Sequence, residues 1–130
     1  MPTLYLDTSV LGRVLLDEPD RAAILREIQG FDVRVASRLL RIELRRLALR
    51  HELLEAADRL LARVSLIPLD DAILAAAETT PPSTVATLDA IHLTTALRLA
   101  DAGALDAVMT YDLQLAEGAR QHGLTVLAPA

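Results

Sequence analysis

The sequence predicts an α/β fold built on a mainly parallel sheet, and three observations carry that prediction. Short apolar runs alternate along the chain with longer segments of helical period, the rhythm of βαβ units. Two of those runs end at an aspartate that opens a helix, Asp7 and Asp112. The chain has 130 residues and is 52% hydrophobic, which fits one domain, residues 1–130, with an ordinary core.

Residues 3–6 (TLYL) read as the first strand, and Asp7, Thr8 and Ser9 as a cap-rich turn into a helix over 9–16. That helix stops before Pro19. A second helix runs from about residue 20 to 29 and ends at Gly30, which suits a helix C-terminus. Residues 33–36 form the next strand, and Ser37 caps a long helix over 38–50. There Leu39, Leu40, Ile42, Leu44, Leu47 and Leu49 recur at helical spacing between arginines. A helix over about 52–64 precedes a short strand at 65–67, which Pro68 keeps from extending. Asp70 and Asp71 open a helix ending near Glu78. The loop 79–86 carries two prolines, and Thr87 caps a helix over about 88–100. A strand at 107–110, a helix to His122, Gly123 and a last strand at 125–127 complete the chain.

Composition excludes several kinds of chemistry. With no Cys, disulfide scaffolds, thiolate metal sites and Cys nucleophiles are ruled out. An aromatic content of 2% without Trp argues against a single-strand binder that stacks bases on rings. All 13 basic residues are Arg, so Schiff-base and P-loop chemistry have no ammonium. The same lack disfavours a phospho-acceptor signalling domain or a dehalogenase-like phosphatase, whose sites need a Lys. No apolar run approaches the ~20 residues of a membrane helix, and the start lacks the basic segment of a secretory signal. A cytoplasmic protein without membrane attachment is the expectation.

Four acids deserve functional weight. Ligands of open parallel sheets gather beyond the carboxyl ends of the strands, where Asp7 and Asp112 stand, with Thr8 and Ser9 beside one and Thr110 beside the other. Each is also an ordinary N-cap. Glu43 sits mid-helix among arginines, with Arg46 in reach at i+3 as a surface partner. Asp89 opens a nearly uncharged helix, where an acid also suits the dipole. Together the four can converge. Two carboxylates about 4 Å apart repel by roughly 4 kcal/mol at an effective dielectric of 20, so such a cluster needs a cation or raised pKa values. Oxygen ligands alone select Mg²⁺ or Mn²⁺. His92, at i+3 from Asp89, reads either as a general acid or ligand, or as a partly buried imidazole bonded to a neighbour.

Residues 1–63 hold 11 arginines against 10 acids, residues 64–130 only 2 against 8. The helix bearing Glu43 carries Arg38, Arg41, Arg45, Arg46 and Arg50, which suit a phosphate backbone, an acidic protein segment or plain solvent equally.

In this order the residues resemble the PIN-domain ribonucleases, most closely the VapC-type toxins of bacterial toxin–antitoxin pairs. The resemblance rests on Leu4-Tyr5-Leu6-Asp7-Thr8-Ser9-Val10, Arg41-Ile42-Glu43-Leu44-Arg45-Arg46, Thr87-Leu88-Asp89-Ala90-Ile91-His92 and Val108-Met109-Thr110-Tyr111-Asp112-Leu113. It implies a PIN-like three-layer α/β/α sandwich with four to five short strands, and a metal-dependent endoribonuclease. It implies Asp7, Glu43, Asp89 and Asp112 as the acidic quartet, with Thr110 beside the metal. Asp7, Asp89 and Asp112 would hold Mg²⁺ or Mn²⁺, and Glu43 would orient or deprotonate the attacking water. RNA as substrate, a small cognate antitoxin as inhibitor and a homodimer follow from the same resemblance. A catalytically inert PIN-like binding module is the alternative. Arg38 and Leu39 depart from the more acidic or small-residue approach that relatives show before the Glu helix, which bears on substrate or antitoxin contacts.

Overall fold

The computed structural model describes residues 1–130. In chain order the elements are β1 (Thr3–Leu6), α1 (Thr8–Leu15), α2 (Arg21–Ile28), β2 (Val33–Ser37), α3 (Arg38–Arg50), α4 (Leu54–Leu61), β3 (Ser65–Ile67), α5 (Asp71–Ala77), α6 (Thr87–Asp101), β4 (Ala107–Met109), α7 (Leu113–Gln121) and β5 (Val126–Leu127). The strands form one five-stranded sheet in the order β3-β2-β1-β4-β5, and every pair is parallel.

The alternation of side chains along β1 sorts the helices into two layers. Leu4 and Leu6, with Ala107 and Met109 of β4, point into a core shared with Val10, Ile24, Leu40, Leu44 and Leu61 of α1 to α4. Tyr5 points the other way and packs with Val35, Val108 and Ala96 of α6. A third cluster joins Leu93 of α6 to Leu115 and Ala119 of α7. The expected three-layer α/β/α sandwich with a parallel sheet is therefore present, with strands buried on both faces as parallel sheets require.

From β1 the chain builds outward through β2 to β3, then returns to the opposite side of β1 for β4 and β5. The winding reverses between β1 and β4, so the carboxyl ends of these two strands flank the crevice where ligands of such sheets bind.

Two local readings change in the structure. The helix expected over 52–64 is confined to Leu54–Leu61, because Glu52 takes a left-handed conformation with φ 58°. It closes α3: Leu53 N donates to Ala48 O at 2.8 Å and Glu52 N to Leu49 O at 3.5 Å, the paired bonds of a Schellman terminus. Thr87 is not the cap of α6 but its first residue; Ala86 stands at the cap with no side-chain bond. Asp20 precedes α2 without capping it, because its carboxylate accepts from Arg13 Nη1 at 2.9 Å. No helix of the chain is long and apolar enough to cross a membrane.

Candidate active site

Asp7 leaves β1 as its last apolar neighbours turn into the core, and it caps α1. Its side chain is 3% exposed and fully engaged. Oδ1 accepts from Ser9 N at 3.1 Å and from Ser9 Oγ at 2.6 Å; Oδ2 accepts from Thr110 Oγ1 at 2.8 Å. The same hydroxyls reach the neighbouring turn: Tyr111 N donates to Ser9 Oγ at 2.9 Å and Asp112 N to Thr110 Oγ1 at 3.0 Å. Ser9 and Thr110 thus stitch the β1–α1 turn to the β4–α7 turn. Asp112 caps α7 by accepting from Leu115 N at 2.8 Å. Both strand-end aspartates are helix caps, and both border the crevice. One role does not displace the other, because a carboxylate has about four lone-pair directions.

Asp89, in the first turn of α6, completes this group. Burial pushes its carboxyl up to about 7, and the facing Asp112 adds to the shift through its charge and a shared hydrogen bond, with Asp7 contributing further repulsion. Burial raises the Asp7 carboxyl too, partly offset by the bonds from Ser9 and Thr110. Asp7, Asp89 and Asp112 therefore form one electrostatic unit.

Glu43 lies on a different wall. Burial works against its charge, but hydrogen bonds from His92 and Thr8 outweigh that and hold its carboxyl below the usual 4.5. Thr8 Oγ1 donates to Oε1 at 2.6 Å, and His92 Nε2 lies 2.8 Å from the same oxygen. No arginine reaches Glu43. Arg45 is bound to Asp58 of α4, and that ion pair, with Arg41 nearby, lowers the Asp58 carboxyl. Arg38 and Arg46 are exposed and Arg41 half-buried.

The sequence singled out no role for Tyr5, whereas His92 is the buried imidazole bonded to neighbours that one of its two readings expected. Tyr5, on the opposite face of β1 from Leu4 and Leu6, and His92, 1% exposed, together support Glu43 from behind. Tyr5 reads as plain core in an apolar strand, and no local pattern marks its hydroxyl as a partner of His92.

The donor set fits a hard dication: oxygen-only carboxylates, Asp7 buried and Asp89 and Asp112 half-buried, whose mutual repulsion a divalent ion relieves. No three His, Asp or Glu side chains are drawn tightly enough together to enclose an ion. Mg²⁺ keeps several waters and takes one or two carboxylates directly, so a closed cage is not required.

The raised Asp89 value has a thermodynamic consequence. Its folded-state pKa of about 7 lies above the ordinary 3.8, so the folded chain holds a proton that the unfolded chain releases. Asp89 therefore destabilises metal-free protein progressively as pH rises between those two values. For a half-exposed group, solvent screening leaves about 1–2 kcal/mol. In chelator, Asp89→Asn is expected to raise the melting temperature at pH 8 and leave it nearly unchanged at pH 4. An equal gain at both would show that the carboxyl is not strained.

The profile of the PIN domain matches residues 4–121. Ribonuclease VapC46 of Mycobacterium tuberculosis (strain ATCC 25618 / H37Rv) is 36% identical over 133 aligned positions that span 100% of both chains. Ribonuclease VapC47 (strain CDC 1551 / Oshkosh) is 34% identical, covering 97% of this chain and 96% of its own. Ribonuclease VapC35 of the same species matches at 34% with the same coverage. These similarities run the length of the sequence, and the chain belongs to the PIN-domain family, within its VapC-type branch.

Proposed function

We propose that this chain is an endoribonuclease toxin that hydrolyses RNA phosphodiester bonds with Mg²⁺ or Mn²⁺ and is held inactive by a small cognate antitoxin. The observation that carries the reading is the gathering of Asp7, Asp89 and Asp112 at the crevice between β1 and β4, where burial first, and then the neighbouring Asp112 and Asp7, raise the Asp89 carboxyl to about 7. Charges so arranged cost stability in the isolated chain and suit a site that receives a dication. The ribonuclease names of the full-length relatives support the same direction.

In this reading Asp7, Asp89 and Asp112 hold the ion, Asp7 and Asp89 most directly. When bound, the ion supplies Lewis-acid polarisation and neutralises phosphate charge. The chain's own residues do the rest. Ser9 and Thr110 keep both Asp7 oxygens oriented, and Thr8 fixes Glu43. Glu43, ionised at neutral pH because its carboxyl sits low, orients or deprotonates the attacking water. Arg38, Arg41 and Arg46 line the flank of α3 as candidates for the RNA backbone; Arg45 belongs to the same stripe but is engaged with Asp58. The protein acts in the cytoplasm as a homodimer.

Incubation with defined tRNA, rRNA and mRNA, with end mapping, tests the proposal. Discrete cleavage with Mg²⁺ or Mn²⁺ is expected, abolished by chelator and restored by excess ion. Cleavage indifferent to chelator would overturn the metal-dependent chemistry. Absence of both cleavage and millimolar ion binding by calorimetry would leave an inert PIN-like binding module.

A further inference from the structure

Glu43 is held by a hydrogen-bonded chain that begins and ends on its own helix. Ser37, the cap of α3, donates its backbone N–H to the Tyr5 hydroxyl at 3.1 Å. That hydroxyl lies 2.8 Å from His92 Nδ1, and His92 Nε2 lies 2.8 Å from Glu43 Oε1, two turns further along α3. The Tyr5 and His92 rings meet edge to face, 6.0 Å between centroids at 76°.

One assignment gives the Tyr5 hydroxyl proton an acceptor within this chain of bonds. Burial raises the Tyr5 hydroxyl far above the usual phenol range, so it keeps its proton. The Ser37 N–H takes one lone pair of its oxygen, and the Tyr5 O–H finds its acceptor in Nδ1, 2.8 Å away. The imidazole is then neutral, Nδ1 accepts, and the single ring proton sits on Nε2 and is donated to Glu43. The two bonds to Glu43 both go to Oε1, which leaves Oε2 for the crevice. Both ring nitrogens of His92 are used inside the protein and the ring is 1% exposed, so neither touches an ion or a substrate.

We infer that His92, fixed in its Nε2–H tautomer by Tyr5, is a positioning residue that aims Glu43 at the reacting water. The inference rests on the ribonuclease reading and deepens it. It explains why an imidazole is placed on α6 behind the acids and why a lone tyrosine interrupts the apolar run of β1. Partners of this kind, which orient a group in the site without entering it, are worth 10- to 100-fold when removed in comparable sites.

Two measurements on the full chain test it. In metal-free protein at neutral pH, nitrogen-15 NMR of the histidines should show His92 with an unprotonated Nδ1 and a protonated Nε2. Tyr5→Phe should abolish that single state. An Nδ1–H tautomer or an imidazolium would overturn the inference. In RNA cleavage at saturating Mg²⁺, His92→Ala should lower kcat about 10- to 100-fold with KM unchanged. His92→Gln, whose amide N–H reaches where Nε2–H was, should recover most of the loss; His92→Asn, which is too short, should not. On a Glu43→Gln background, His92→Ala should cost nothing further, because the group it aims is gone. Undiminished kcat in His92→Ala, or an equal loss on both backgrounds, would sink the inference. If His92→Ala fails to fold, the Gln and Asn pair decides. A wild-type chain that cleaves no RNA defeats the ribonuclease reading, whereas a wild type that cleaves beside an equally active His92→Ala defeats only this inference.

Discussion

Asp7→Asn is expected to lower RNA cleavage about a thousandfold or more while leaving the fold intact. A carboxylate that holds a catalytic dication contributes several kcal/mol of transition-state charge stabilisation, and each 1.36 kcal/mol is a factor of ten in rate. The fold should tolerate the change because burial already opposes the charge of this side chain. Asn keeps an oxygen for Ser9 N and Oγ. Thr110, which also accepts from Asp112 N, can turn its hydroxyl to meet the new amide. Calorimetric titration should show weakened Mg²⁺ binding, and circular dichroism an unchanged melt. A variant that cleaves RNA at the wild-type rate would remove Asp7 from the site.

Glu43→Gln is expected to separate the two halves of the site. General base catalysis contributes about 10²- to 10⁴-fold, so kcat should fall by that order, while KM and Mg²⁺ affinity stay as they were. The amide oxygen of Gln can still accept from Thr8 and His92 at the position of Oε1, so the variant should still fold, with a stability cost confined to the lost charge. The stability profile carries a further mark. Glu43 sits below its usual 4.5 when folded, so its contribution is complete above that value and is lost as pH falls through the folded-state value. The variant should therefore lose relative to wild type near pH 7 and close the gap in acid, the opposite slope to Asp89→Asn. A Glu43→Gln protein with weakened Mg²⁺ binding would show instead that Glu43 holds the ion.

Much of this architecture was legible along the chain. Strand and helix order followed from apolar runs, from Ser37 and Asp70 as caps, and from Pro68 as a stop. Asp7 and Asp112 were visible as strand-end acids. The boundary at Glu52 was not, because nothing in a Glu signals a left-handed residue, and Schellman termini are read from Gly. Asp20 stands just before α2 without capping it, because Arg13 of α1 takes its carboxylate. Glu43 shows the same limit: Arg46 is the neighbour that helical spacing offers, while the partners that hold it, Thr8 and His92, come from α1 and α6.

What the sequence determined by itself was the set of elements, the parallel sheet and the identity of the acids, since these depend on local period and residue type. What only the tertiary structure decided was which acid feels which. Asp89 is raised by its burial and then by Asp112 across the crevice, while Glu43 is relieved because an imidazole and a hydroxyl converge on it. Residues 35 to 103 positions apart in the chain make those contacts, and no local pattern encodes the distance between them.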